Sequence, residues 1–415
     1  MIGSGRTFAS VRRHRNYRLY FGGQAVSFVG SWVQQIAAAW LVLQLTHSAV
    51  AVGALALAQS LPITVLGLFV GTVIDRYEVR KVAIASESAQ LLLAAAFAVL
   101  TLSDAITVWQ IYVLSVFQGV AMAVGGPSRH SLVFEMVGED DLPNAVALNS
   151  SLGTAARVIG PAVGGVVVAF AGPGVAFALN AGSFLAELVA LLSIDTTKLH
   201  DRVRDHGASL VGGALDALRF VVRSARAGVA FFGVLVVSTF SFNLNVLMPL
   251  IADRTLDAGP QTFGLIAAVF GLGALCGALT SARRGTNRLR DLLLATLCYG
   301  VAELLLAPQD SLVVVCVLMA LLGFFYISWA ATALTALQLE APEQLRGRAA
   351  SLYFFAFLGG APLGGLFAGW LVSVGGTELA FYVAGVVAVL TSLVGGARLM
   401  TPSAARATSS SVTAR

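Results

Sequence analysis

Charged side chains are scarce in this sequence. Only 11% of its 415 residues are Asp, Glu, Lys or Arg, whereas 57% are hydrophobic and the mean hydropathy is +0.84. An ordinary soluble domain has about 25% charged residues, so the composition excludes that class and indicates a chain that lies in a bilayer. At about 20 apolar residues per membrane helix plus connections, the chain has room for roughly twelve spans.

Residue patterns that catalysis or ATP hydrolysis needs are also missing. The five histidines lie in predicted loops or at predicted helix ends, and neither a His-Glu-x-x-His pattern nor a glycine-rich phosphate loop occurs. We therefore expect no enzyme, no ATP-driven pump, no cofactor and no metal. The three cysteines, Cys276, Cys298 and Cys316, lack metal-ligand spacing and are expected to be buried packing residues.

Hydropathy and breaker residues divide the chain into twelve predicted spans, numbered one to twelve from the N-terminus. They cover residues 19–44, 50–73, 82–103, 107–126, 145–170, 174–194, 228–250, 261–281, 291–307, 311–338, 349–372 and 378–399. With both ends in the cytoplasm, and with Arg398 at the end of span twelve counted with the tail, 24 of the 26 lysines and arginines fall in inner segments, Arg254 falls outside and Arg157 lies within a span. This asymmetry predicts twelve spans with both termini cytoplasmic.

The longest hydrophilic stretch lies near the midpoint of the chain. We expect a six-helix bundle over residues 1–194, a cytoplasmic linker that could include an amphipathic helix over 195–226, and a second six-helix bundle over 227–400. Residues 401–415 are rich in Ser, Thr, Ala and Arg and are expected to form a disordered cytoplasmic tail.

Two motifs relate the halves to each other. Gly160-Pro161-Ala162-Val163-Gly164-Gly165 returns 200 residues later as Gly360-Ala361-Pro362-Leu363-Gly364-Gly365. Glycines four residues apart occur on spans two, five, eight and eleven, at Gly67 and Gly71, Gly160 and Gly164, Gly273 and Gly277, and Gly360 and Gly364. Because glycine lets two helix backbones approach closely, these residues with Pro161, Gly165 and Pro362 are predicted to form the packing between the halves.

The loop after span two reads Gly71-Thr72-Val73-Ile74-Asp75-Arg76-Tyr77-Glu78-Val79-Arg80-Lys81. With the Gly-Pro-x-x-Gly-Gly stretch, it resembles the cytoplasmic signature of the major facilitator superfamily. Gly126-Pro127-Ser128-Arg129 and Arg346-Gly347-Arg348 add a likeness to the branch that contains the enterobactin exporter and other transmembrane secretion effectors. The likeness covers nearly the whole chain.

This resemblance implies an all-α membrane fold of two six-helix bundles around a cavity lined by spans one, four, seven and ten. It also implies that Asp75 lies near the start of span eleven, where a carboxylate meets the positive end of a helix dipole, and latches the inner gate. Gly71, Arg76, Arg80, Arg346 and Arg348 would complete that gating motif. The alternative is that these basic residues only fix the topology.

Polar residues on the four implied cavity spans indicate a polar-lined pathway, with hydrogen bonding between helices as the alternative. They are Gln24, Ser27, Ser31 and Gln35 on span one, Gln118 on span four, Ser241 and Asn245 on span seven, and Thr332 on span ten, next to the aromatic Tyr326 and Trp329. Because no charged residue lies within these four predicted spans, a neutral or amphipathic cargo is favoured.

Four charged residues lie at membrane depth: Glu87, Arg157, Glu187 and Glu303. A charge there is costly and is a functional candidate by default. Each glutamate is expected to carry a proton, to hydrogen-bond between helices, or to extend toward the membrane surface. Arg157, one turn before Pro161, is favoured for gating or substrate contact.

The resulting hypothesis is a secondary transporter of the bacterial inner membrane that exports a small amphipathic molecule, a drug-like compound or a siderophore. Alternating access against an inward flow of protons is the expected mechanism. The expected partners are that substrate, membrane lipid and protons, with no nucleic acid, and the carrier is expected to be a monomer. The alternative is an uptake symporter or a substrate sensor on the same fold.

Overall fold

The computed structural model describes residues 8–66, 77–200, 219–284, 289–342 and 346–400. In those ranges the regular secondary structure is helical throughout. The α-helices are Ala9–Arg13, Arg15–Thr46, Ala49–Leu66, Val79–Leu102, Val108–Leu192, Ala225–Phe240, Leu244–Leu250, Pro260–Arg284, Leu289–Leu306, Leu312–Glu340, Arg346–Gly359 and Ala361–Met400, with a short 3-10 helix at Thr196–Lys198 and a π-helix at Ile251–Thr255.

Glycines divide the two longest helices. Helix Val108–Leu192 is interrupted at Gly138 and Gly172, where φ is 69° and 81°, and helix Ala361–Met400 is interrupted at Gly376, where φ is 72°. Only glycine adopts this left-handed backbone without steric cost. The breaks separate spans four, five and six, and spans eleven and twelve.

Eight helical segments within the described ranges are long and apolar enough to cross a membrane. The glycine breaks subdivide two of them, and helix Leu289–Leu306, which carries more charge, supplies span nine. The predicted all-α architecture of twelve membrane-spanning helices is therefore confirmed.

Span four is longer than the sequence predicts. Gly126 and Pro127 suggest a helix end at residue 126, but the helix continues to the break at Gly138. Proline is tolerated inside a membrane helix when neighbouring groups satisfy the backbone. The expectation that Arg129 lies in a loop is therefore wrong, because Arg129 is a buried residue of this helix.

The described residues form two compact units. The first comprises Met1–Asp205 with Ala258–Ala268, and the second comprises His206–Asp257 with Val269–Arg415. The beginning of span eight thus packs with spans one to six. In the first unit the backbones of Gly165 and Gly264 are in contact, and the rings of Trp40 and Phe263 are stacked with their centroids 5.3 Å apart.

The motif glycines lie at close helix contacts inside each unit. Gly160 packs against Trp32 and Gly164 against Val33 of span one. In the second unit, side chains at the motif glycines would overlap span ten or span seven: Gly273 faces the carbonyl of Ala320, Gly277 that of Phe324, and Gly360 and Gly364 face Thr239.

Pro161 and Pro362 are buried beside these contacts, and Gly67 lies outside the described residues. Each motif glycine that the structure describes packs against a helix of its own unit. This packing explains why these positions carry no side chain. The predicted role of the glycines between the halves stays a prediction.

The cysteines are free thiols in this structure. Cys298 and Cys316 are partly buried, but Cys276 is exposed, so the expectation that all three are buried is wrong. Cys276 shares a helix face with the exposed Leu272 and Leu279, where apolar side chains of a membrane helix meet lipid. The tail from residue 401 and the expected amphipathic helix of the linker fall largely outside the described residues.

Replacing Gly273 by alanine should lower the stability of the second unit. The added methyl group would overlap the backbone carbonyl of Ala320, and such overpacking costs about 1–3 kcal/mol. The measurement is the thermal unfolding midpoint of the detergent-purified protein. Gly396→Ala is the matched control, because a methyl group there has no atom of the described residues within 4 Å. Equal midpoints for the two variants would contradict this packing.

Candidate functional site

Span one approaches span six closely through two glycines. A Cβ at Gly23 would lie 3.0 Å from the Cα of Glu187, and a Cβ at Gly30 would overlap the hydroxyl of Ser183. The two glycines are seven residues apart, which is about two helical turns, so they lie on one face of the helix. This close approach brings the side chain of Glu187 next to the polar residues of span one.

Three charged side chains meet in the first unit, and we call Glu87, Arg129 and Glu187 the ion cluster. The Nη1 atom of Arg129 donates to Oε2 of Glu87 at 2.9 Å, and the hydroxyl of Ser27 lies 3.5 Å from Oε1 of Glu87. The carboxyl groups of Glu87 and Glu187 lie within electrostatic reach of each other. Both glutamates are fully buried and Arg129 is only 9% exposed. Spans three, four and six each contribute one charge.

The ion cluster contains two carboxyl groups and one guanidinium. Neither carboxylate oxygen of Glu187 has a hydrogen-bond partner among the described residues. Unpaired charge is costly at this depth, and one bound proton makes the cluster electrically neutral. The arrangement can therefore bind and release a single proton.

Tyr20 and Gln24 extend the ion cluster along span one. The side-chain amide of Gln24 donates to the hydroxyl of Tyr20 at 2.7 Å, and Tyr20 lies within electrostatic reach of Glu187 and Arg129. Gln24 and Ser27, both predicted cavity residues, are buried here. The structure thus brings together two predicted cavity residues and two of the predicted membrane charges.

A second polar group of the first unit consists of side-chain amides. Gln34 donates to Gln118 at 2.7 Å and accepts from Asn180 at 2.6 Å, and Asn180 in turn accepts from Ser183 at 2.9 Å. The sequence analysis selected Gln35, which is half-buried, instead of Gln34. Gln34 also follows Ser27 and Ser31 at helical spacing, so the periodicity allowed either glutamine.

Other predicted cavity residues have more local contacts. The hydroxyls of Ser31 and Thr332 donate to carbonyls one turn earlier in their own helices, at 2.9 and 2.7 Å. Asn245 is exposed. These residues are not brought together by side-chain contacts, and their predicted cavity role stays a prediction.

In the second unit, polar and aromatic residues gather at a break in span seven. Residues 241–243 separate helix Ala225–Phe240 from helix Leu244–Leu250. The ring of Phe242 lies 4.7 Å from Tyr326 and 4.5 Å from Trp329, measured between centroids. Ser241 donates to the carbonyl of Ala384 at 2.8 Å. The predicted Ser241, Tyr326 and Trp329 therefore lie in one region.

The predicted gating motif is only partly described. Gly71, Asp75 and Arg76 lie outside the described residues, as do the side chains of Arg346 and Arg348. Arg80 donates to the carbonyls of Leu191 and Leu192 at 3.2 and 3.1 Å, which satisfies acceptors at the end of span six. Arg157 is half-buried.

All three membrane glutamates, including Glu303, are fully buried. The expectation that a glutamate extends toward the membrane surface is therefore wrong for each of them. Sequence analysis missed Arg129 as a partner, and the signal that could have found it was a lone arginine in a segment with helical hydrophobic spacing. Among the described residues, no group of His, Cys, Asp or Glu could hold a metal ion.

A contact outside the spans holds the N-terminal arm. Asp141 lies 2.9 Å from Nε2 of His14 and 3.1 Å from Nη1 of Arg13, and Ser10 donates to Asn144 at 2.7 Å. The hydrogen bond with His14, followed by the charge of Arg13, lowers the pKa of Asp141. The arm is therefore fixed against the helix that begins after Gly138.

Known proteins resemble this chain over most of its length. A family model described as a transmembrane secretion effector matches residues 6–413. The Staphyloferrin A transporter of Staphylococcus aureus (strain NCTC 8325 / PS 47) is 24% identical over 383 residues, which are 91% of this chain and 94% of that protein. The multidrug efflux pump Tap of Mycolicibacterium fortuitum is 28% identical over 363 residues, with 85% and 88% covered.

A third relative, the enterobactin exporter EntS of Escherichia coli O139:H28, is 29% identical over 370 residues, which are 86% of each chain. Among solved structures, the nucleoside transporter NupG superposes with a TM-score of 0.71 at 13% identity, over 93% of this chain and 99% of that one. A peptide transporter POT in complex with sulfate superposes with a TM-score of 0.72 at 13% identity, over 92% and 94%. At these identities the superpositions establish the fold.

Loss of the Asp141 contact should release the N-terminal arm. We expect Asp141→Asn to raise the rate of tryptic cleavage after Arg12 and Arg13 at neutral pH by up to about fivefold, because a largely exposed ion pair contributes about 1 kcal/mol or less. The lowered pKa of Asp141 means that the contact is present at neutral pH and is lost only as the pH falls through that lowered value. Cleavage unchanged relative to Asp140→Asn, a change at the exposed neighbour, would contradict this contact.

Replacing Arg129, the cation of the ion cluster, should destabilise the protein far more than loss of the Asp141 contact. We expect Arg129→Gln to lower the free energy of unfolding by about 3–5 kcal/mol, since two buried carboxyls lose their partner. The Glu87→Gln/Arg129→Gln double variant should recover part of that loss. Thermal unfolding in detergent checks both results.

The matched control for this experiment is Arg226→Gln. It breaks the partly exposed ion pair with Glu340, whose atoms are 2.9 Å apart, and should cost about 1 kcal/mol or less. Similar losses for Arg129→Gln and Arg226→Gln would show that Arg129 does not neutralise buried charge.

Proposed function

The chain belongs to the transmembrane secretion effector family of major facilitator transporters, and on that premise we propose that it exports a small amphipathic molecule in exchange for protons. Two of the relatives are named as an enterobactin exporter and as a multidrug efflux pump, which supports outward transport. The cargo class on this proposal is a drug-like compound or a siderophore. The carrier acts in a bacterial inner membrane, as a monomer with both termini in the cytoplasm.

The composition of the ion cluster supports the proposed coupling of export to protons. Arg129 pairs with Glu87, and neither oxygen of Glu187 has a hydrogen-bond partner among the described residues, so the addition of a proton removes unpaired charge instead of creating it. A carrier that exchanges cargo for protons needs a group that is stable with and without its proton at different stages of the cycle. The ion cluster meets this need because Arg129 can compensate whichever carboxyl is ionised.

Transport on this proposal occurs by alternating access, in which the two bundles expose the cargo site first to one side of the membrane and then to the other. Asp75 with Arg76, Arg80, Arg346 and Arg348 forms the latch of the inner gate. The glycines on spans two, five, eight and eleven provide smooth surfaces for the motion. The bundles extend over residues 1–194 and 227–400, joined by the linker.

Glu187→Gln should uncouple transport from the proton gradient. The neutral amide permanently removes one of the two negative charges of the ion cluster, so exchange should fall at least tenfold while the protein remains in the membrane. The assay is dye or antibiotic accumulation in everted vesicles whose lumen has been acidified, with and without an agent that collapses the gradient.

Glu378→Gln is the control for this assay, because Glu378 is an exposed carboxylate of the second unit. Gradient-driven accumulation by Glu187→Gln at the wild-type rate would contradict the proton role of the cluster. Cargo movement out of the everted vesicles would instead identify an uptake symporter, and the lack of any transport across a panel of dyes, antibiotics and siderophores would favour a sensor.

A further inference from the structure

The second unit contains a buried carboxyl without a cation. Glu303 on helix Leu289–Leu306 is fully buried, and neither of its carboxylate oxygens has a hydrogen-bond partner among the described residues. Ser241 of span seven lies next to the carboxyl. Tyr299 lies one turn earlier on the same helix, and its hydroxyl is also buried without a hydrogen-bond partner in the part of the chain that is described.

The groups that face Glu303 are uncharged or weakly acidic. Tyr299 faces it from its own helix, Ser241 faces it from span seven, and Tyr326 of span ten lies beyond Tyr299. The charged residues described on the helices packed against it lie toward helix ends: Arg226, Asp253, Arg254, Arg290, Asp291, Glu340, Glu378 and Arg398. Arg290 on its own helix is about 20 Å away along the axis. An ionised Glu303 would therefore lack compensation in this conformation.

Aromatic rings cluster around Tyr299, one turn before Glu303 on the same helix. The ring of Phe242 lies 4.8 Å from Tyr299, 4.7 Å from Tyr326 and 4.5 Å from Trp329. Phe242 belongs to the non-helical joint at residues 241–243, and it is only partly buried, as is Tyr326. A discontinuous helix at membrane depth is typical of transporter binding sites. The backbone amides of Ser241 and Phe242 donate to the carbonyl of Val237, so the partly buried ring of Phe242, and not the backbone of the joint, is the part that moves aside.

We propose that Glu303 and the rings of Phe242, Tyr299, Tyr326 and Trp329 form a subsite for an organic cation, at which the cation and a proton compete for the carboxyl. The proposal rests on the proposed function and adds the chemical class of the cargo. When the subsite is empty, Glu303 carries a proton. When a cation enters, the O–H bond of the carboxyl breaks, the proton passes to water, and the carboxylate pairs with the cation.

The subsite is electrically neutral both when Glu303 carries a proton and when the carboxylate pairs with a cation. Its burial requires this neutrality, because an uncompensated charge is costly there. The faces of the rings attract a cation, and Trp and Tyr do so most strongly. A neutral ligand would leave the proton on Glu303, and an anion would meet no positive group there. The subsite therefore selects ring-containing or alkyl cations and links their binding to release of a proton.

Tetraphenylphosphonium and tetraphenylborate test this proposal, because they have nearly the same shape and opposite charge. Binding of each to the purified full-length protein is measured by calorimetry between pH 6 and pH 8 in weak buffer, together with proton release. We expect tetraphenylphosphonium to bind more tightly as the pH rises and to release up to one proton. Tetraphenylborate should bind at least tenfold more weakly.

Glu303→Gln should weaken tetraphenylphosphonium binding at least tenfold and abolish its pH dependence. Phe242→Leu keeps an apolar side chain but removes the ring, so the affinity should fall severalfold while the pH dependence remains. This second variant keeps the test decisive if Glu303→Gln does not fold. Glu378→Gln, a change at an exposed carboxylate of the second unit, should retain cation binding.

Binding that is independent of pH, or equal for the two ions, or unchanged in both Glu303→Gln and Phe242→Leu, would overturn the subsite. Such a result would leave proton-driven export of other compounds, measured in everted vesicles, unaffected. Conversely, intact competition at Glu303 without gradient-driven transport would refute the proposed function and retain the subsite.

Discussion

The contact between Arg129 and Glu87, with Glu187 beside it, sets the conditions for the rest of the first unit. Charges buried at membrane depth must be compensated within the protein, since no water is available to do so. Three different spans supply the three charges, so compensation is achieved only when those spans are packed in register with span one. Gly23 and Gly30 allow the close approach of span one and span six that this requires. Packing and electrostatics thus specify the same arrangement.

The second unit meets the same constraint in a different way. Glu303 is as deeply buried as Glu87 and Glu187, but Ser241 and Tyr299 lie next to it instead of a guanidinium. The two units therefore differ in chemistry although they are related in sequence motifs. One holds a carboxyl pair around a fixed cation, and the other holds a single carboxyl whose compensation must come from a proton or from cargo. We propose that this asymmetry divides proton binding and cargo binding between the two units.

The sequence could predict much of the fold but only part of the site. Hydropathy, breaker glycines and the repeated glycine motif predict the twelve spans, because these signals depend on length and composition alone. They do not determine which face of a helix meets which neighbour, so Gln35 was selected although Gln34 makes the contacts. Pro127 was interpreted as a helix end, and Arg129 was therefore assigned to a loop. The glycines of span one, seven residues apart, were the available signal for its contact with span six.

Infrared spectroscopy of the purified protein can show whether the ion cluster holds a proton. A neutral carboxylic acid has a C=O band that a carboxylate lacks. The account predicts that the wild-type protein at neutral pH shows such a band for the ion cluster, that the band shifts on hydrogen–deuterium exchange, and that it is lost in Glu187→Gln, where Glu87 alone faces Arg129. Superimposable carboxylic-acid bands in the wild type and in Glu187→Gln would contradict it, since the ion cluster would then hold no proton.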